Sequence, residues 1–119
     1  MRNIGENMKP IDKMFSKPDL PVEIRIPHSL SVTSSEHGIP ISRAIKTAIY
    51  AMLMAHEDGV LDIELFTRKR IDKDVRTTVR IPVGAYDQLR TIFPDVTINT
   101  VLSNVACLFS ENEETFIHV

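Results

Sequence analysis

Two short stretches decide how this chain reads: "VEIRIP" at residues 22–27 and "TVRIP" at residues 78–82. In the first, Val22, Ile24 and Ile26 alternate with Glu23 and Arg25. A period of two describes a strand with one apolar face, and Pro27 stops it. The second belongs to a longer run, "VRTTVRIP". It sets Val75, Thr77, Val79 and Ile81 on one face and Arg76, Thr78 and Arg80 on the other, with Pro82 as the stop.

Each strand leads into two helical stretches. After the first, "HSLSVTSSEHG" is rich in short hydroxyl side chains that compete for backbone hydrogen bonds, so it predicts a marginal helix ending near Gly38. "IPISRAIKTAIYAMLMAHEDG" predicts a long helix with Pro40 in its first turn and a stop near Gly59. Ile41, Ile45, Ala48, Ile49 and Met52 form its stripe. After the second strand, "VGAYDQLRTIF" predicts a helix with Tyr86, Leu89 and Phe93 on one side, and "PDV" breaks it. "TINTVLSNVACLFSENEE" predicts a long helix with Thr97 as N-cap and Ile98, Leu102, Val105 and Phe109 as its stripe.

Both halves thus read strand, short helix, long helix. Ile24–Pro27 falls on Val79–Pro82, while Ile41 falls on Ile98 and Ile45 on Leu102. The two offsets differ by two residues, and the slack lies in the first helix or in the turn after it. Internal repetition bears on the whole fold. A unit of about 40 residues is at the lower limit for a core of its own. Two units can pair their strands antiparallel and merge their helix stripes. The predicted fold is mainly α with a short antiparallel β-ribbon, built from two β-α-α units. The predicted divisions are an N-terminal arm at 1–20, a first unit at 21–58, a charged connector at 59–74, a second unit at 75–112 and a tail at 113–119. In the connector, Leu61, Ile63 and Leu65 alternate with Asp62 and Glu64, which allows an extended stretch. The last residues, "TFIHV" at 115–119, read as a frayed end or a short strand.

Composition narrows the function. The chain has 119 residues, is 43% hydrophobic and 25% charged, and carries a net charge of −2. No apolar run approaches the ~18 residues of a membrane span, and the polar, Pro-interrupted start lacks the core of a secretory signal. A cytoplasmic protein is expected, in keeping with a single cysteine, Cys107. The four histidines are scattered without ligand spacing, and the four glycines form no phosphate-cradling loop. Cys107 reads as a small buried apolar residue. No enzyme, metal or cofactor is expected.

"VEIRIP" and "TTVRIP", then "HGIPISRAI" and "PDVTINTVL", resemble the ribbon-helix-helix (Arc- and MetJ-type) DNA-binding family. There a polar, Arg-bearing strand ends in Pro, and the second helix opens on a Ser/Thr-apolar-polar turn. The resemblance covers residues 21–58 and 75–112, as a tandem single-chain pseudo-dimer of the TraY-like conjugation-accessory kind. The sequence departs from the family pattern at Pro40, which stands where a capping hydroxyl is usual, and in the first short helix, which reads about one turn short.

The resemblance implies a two-stranded ribbon in the major groove of double-stranded DNA. Glu23, Arg25, Arg76, Thr78 and Arg80 would then face base edges. Arginine offers a fork to guanine, threonine meets thymine, and a carboxylate accepts from cytosine. The second helices would contact phosphates near Ile41, Ser42, Arg43 and Lys46, and near Thr97, Ile98 and Asn99. Two unlike strands imply an asymmetric site, read by a transcriptional regulator such as a repressor, or by a DNA-transfer factor of a plasmid or virus. Further copies of the chain on DNA, or a relaxosome or regulatory protein, are partners in keeping with that role. The alternative is a protein-interaction module, antitoxin-like, that grips a partner with its acidic tail "SENEET" and its arm. The cluster "RKR" at 68–70 reads either as solvated connector or as a phosphate-contacting loop.

Overall fold

The computed structural model describes residues 18–68 and 75–118. Residues 1–17 of the predicted arm at 1–20, with Lys9, Lys13 and Lys17, lie outside the described residues, as do positions 69 and 70 of the basic cluster. The elements in order are β1 (Asp19–Ile26), α1 (His28–His37), α2 (Ile41–Glu57), a 3-10 turn (Ile63–Phe66), β2 (Val75–Pro82), α3 (Val83–Ile92), α4 (Ile98–Glu111) and α5 (Glu113–Ile117). The described chain is mainly helical, with one two-stranded antiparallel sheet. No described helix is long and apolar enough to cross a membrane.

The period-two pattern is what the strands obey. Val22, Ile24, Ile26, Val79 and Ile81 are buried, whereas Pro21, Glu23, Arg25, Arg76, Thr78 and Arg80 are exposed. β1 begins at Asp19, ahead of the predicted boundary, because Leu20 pairs with Ile81 and Asp19 with Pro82. A lone two-stranded ribbon is marginal in water. Here its apolar face lies on the helices, with α4 packed on β1 and α2 on β2.

The stripe residues Ile45, Ile49 and Met52 of α2 and Ile98, Leu102, Val105 and Phe109 of α4 are all buried. Cys107 is buried with them. Thr97 caps α4, its Oγ1 accepting from the Thr100 N–H at 3.2 Å. Pro40 sits at the cap of α2 rather than inside its first turn.

Three expectations are corrected. First, α1 is not short: α1 and α3 each span ten residues. Only Leu30 and Thr33 of α1 are buried, so tertiary ties hold it. Ser29 and Ser110 hydroxyls meet at 3.0 Å, and Thr33 Oγ1 donates to Glu113 Oε1 at 2.7 Å. The two-residue slack falls wholly in the turn, residues 38–40 in one half against 93–97 in the other. Gly38 makes the tight turn at φ 63°, its N–H donating to the Ser34 carbonyl.

Second, Leu61, Ile63 and Leu65 do not form an extended stretch. Residues 63–66 wind into a 3-10 turn capped by Asp62, whose side chain accepts from the Glu64 N–H at 3.2 Å. Phe66 is the anchor, buried and edge-on to Phe93 with ring centroids 6.1 Å apart. Third, the described part of the tail is not a strand. It forms α5, which buries Phe116 against Phe109 at 5.5 Å. Two aromatic rings at that separation add about 0.5–1.5 kcal/mol beyond their burial.

Candidate nucleic-acid interface

The ribbon register sets the site. Pro21 pairs with Arg80, Glu23 with Thr78 and Arg25 with Arg76. All six side chains stand on the face away from the helices and all are exposed. The five predicted base-reading residues therefore share one surface of about two strand widths, or ~10 Å with side chains. Arg25 and Arg76 stand directly opposite each other, a like-charge pair that costs a strand stability. Glu23 Oε1 lies 3.9 Å from Arg76 Nε, with both side chains more than 60% exposed. At that exposure the pair contributes little. The face holds three arginines and one glutamate in a chain of net charge −2, so positive charge is concentrated on it.

The helices close the ribbon's edges. The Arg25 N–H donates to Ser103 Oγ of α4 at 3.1 Å, and the Arg80 N–H donates to Ser42 Oγ of α2 at 3.2 Å. Asn99 Nδ2 donates to the Glu23 carbonyl oxygen. Exposed strand edges invite pairing with other chains, and here hydroxyl and amide groups occupy them.

The predicted phosphate-contacting residues divide by what their side chains already do. Ser42 and Asn99 are committed to the ribbon. Ile41 is half-buried and Ile98 buried, so each offers only its backbone amide. The first amides of a helix have no intrahelical acceptor. At α4 the Thr97 side chain takes the Thr100 amide, leaving those of Ile98 and Asn99. At α2 no side chain caps, and the amides of Ile41, Ser42 and Arg43 begin the helix. Arg43 is exposed. Lys46 Nζ is held 2.7 Å from Asp19 Oδ2, so part of its charge is neutralised within the chain.

No family model, curated protein or solved structure matches the chain.

Three residues that matter here, Asp19, Ser103 and Asn104, were missed by the sequence reading, and Arg68 was named there only as part of the basic cluster at 68–70. Asp19 pairs with Lys46, and Ser103 satisfies a strand amide. Buried Asn104 ties the connector to α4, its Nδ2 donating to the carbonyls of Phe66 at 3.0 Å and Arg68 at 2.9 Å. Arg68 lines a cleft beside β1 with Arg25, Thr100 and Ser103. A signal existed for Asn104 alone: an amide at the centre of an apolar stripe, where burial demands partners.

Proposed function

We propose that this chain is a sequence-specific double-stranded DNA-binding protein of two fused ribbon-helix-helix halves. It reads the major groove with the outer face of its ribbon. Its role is that of a transcriptional regulator or a DNA-transfer accessory factor in the cytoplasm.

The ribbon register supports this reading most directly. Glu23 and Thr78 lie 55 positions apart and pair with each other. Arg25 and Arg80 are also 55 apart, and each sits two residues farther along its own strand. A twofold axis through the Glu23–Thr78 pair thus exchanges the strands. The helices that follow, α1 and α3, start and end at the same spacing of 55. A major groove about 12 Å wide admits such a ribbon. Arg25, Arg80 and Arg76 then face base edges with Thr78 and Glu23 between them, and the starts of α2 and α4 flank the ribbon for phosphate contact. Because the strands share the Arg25/Arg80 position but differ at Pro21/Arg76 and at Glu23/Thr78, the preferred site is an imperfect palindrome.

Selection from a pool of randomised duplexes, followed by mobility shift, tests this. An asymmetric motif should be enriched. Arg80→Ala should relax preference at one base position by about 1–3 kcal/mol. No enrichment and no retardation at low salt would refute DNA binding.

One observation favours a second reading, a protein-interaction module. On the helical side, α2 and α4 border an apolar groove of about 530 Å³ lined by Ala48, Ala51, Met52, Val105, Leu108 and Phe109. Capture of a stoichiometric protein partner that survives Arg80→Ala, with no DNA retained, would favour it.

A further inference from the structure

The two flanks of the ribbon are unequal in charge, and the connector corrects the imbalance. α2 starts at Ile41 and α4 at Ile98, 57 positions apart, so the counterpart of Arg43 in the second half is Thr100. The flank along β2 therefore has Arg80 and Arg43. The flank along β1 has Arg25 but a neutral hydroxyl where the second cation would stand. Arg68 lines the same cleft as Thr100 and Arg25, a space of about 230 Å³ between β1 and α4.

Resting on the DNA-binding reading above, we infer that Arg68 is the phosphate contact of the β1 flank, the stand-in for Arg43 about the pseudo-twofold axis. Two ties hold its backbone. Asn104, only 2% exposed, donates to the Arg68 carbonyl, and Phe66 two residues earlier is buried against Phe93. The residue itself is exposed. Ser103, whose Oγ accepts the Arg25 N–H, lines the same cleft. An arginine fork can hold a pair of phosphate oxygens in two hydrogen bonds. Among the described residues Glu23 is the one acid bordering the cleft, and its carboxylate is turned to Arg76. The connector is thus part of the interface, and Asn104 is a positioning residue within it.

The probe is a duplex selected from the randomised pool, studied by salt titration and by ethylation interference of its phosphates. Each phosphate contact contributes about 0.9 to the slope of log K against log salt, or roughly eightfold in affinity at 0.1 M salt. Arg68→Ala should lose that much slope and affinity, lose interference at phosphates of one half-site, and leave the selected sequence and the melting temperature unchanged. Arg43→Ala should lose interference in the opposite half-site, and Arg68→Lys should keep the slope. Wild-type slope and footprint in Arg68→Ala would overturn the inference while DNA binding stands, as would loss on the same half-site as Arg43→Ala. Failure of the wild-type protein to retain any duplex would remove the DNA-binding reading and this inference together.

Discussion

Replacing Asn104 with alanine should destabilise the fold by about 2–3 kcal/mol, because one buried amide holds the connector to α4. Its Nδ2 donates to the Phe66, Arg68 and Thr100 carbonyls at 3.0, 2.9 and 3.0 Å. Thr100 lies four residues earlier in α4 and keeps its helical bond after truncation. The other two carbonyls do not. Each net hydrogen bond is worth about 1 kcal/mol, and a carbonyl left dry costs more. The chain can escape by lifting residues 63–68 into water, but that exposes Phe66 and breaks its contact with Phe93. Losing an aromatic burial of that kind costs about 2–3 kcal/mol as well, so the two routes converge on a similar loss. Urea unfolding followed by circular dichroism should show a midpoint lowered by about 1–2 M with an unchanged slope. Asn104→Leu, which fills the volume without a donor, should not restore the wild-type midpoint. A loss below about 0.5 kcal/mol in Asn104→Ala, or a wild-type midpoint in Asn104→Leu, would refute this account of the connector. Asn104→Asp adds a sign test. A carboxylate facing three carbonyls has its folded-state pKa raised above that of the unfolded chain. Its stability is fullest below the unfolded pKa and is lost as pH rises through the folded one. Its deficit against wild type should therefore widen from acid to neutral pH.

Three further outcomes follow from the same geometry. Arg25→Gln removes the like-charge pair with Arg76, so it should raise stability by a few tenths of a kcal/mol while weakening DNA binding; thermal melting and mobility shift read the two effects. Phe116→Ala empties a site that is fully buried beside Phe109 and should cost about 3–4 kcal/mol by chemical denaturation, whereas a dispensable tail would show almost none. Gly38→Ala meets no neighbour within 4 Å but must keep φ 63°, so it should cost about 1 kcal/mol by backbone strain alone, read as a lowered melting midpoint.

The alternation in "VEIRIP" and "VRTTVRIP" sufficed to place both strands and their exposed residues, because a period of two leaves each side chain only two directions. The stripes of α2 and α4 and the cap at Thr97 were equally local signals. So was the antiparallel pairing of the two strands, since a strand with one apolar face and unpaired edges needs a partner. What the sequence could not settle depended on distant atoms. α1 has no apolar stripe, and its ten residues hold together through Leu30 and through hydroxyl bonds to α4 and α5. The winding at Ile63–Phe66 follows from a pocket for Phe66 made by residues elsewhere, and alternation in "LDIELF" gave no hint of it. The tail becomes helical because Phe109 offers Phe116 a surface. On the outer face of the ribbon, sequence order named the arginines. Only the packing of the helices joined Lys46 to Asp19 and brought Arg68 beside Arg25, since those neighbours lie 27 and 43 positions apart along the chain.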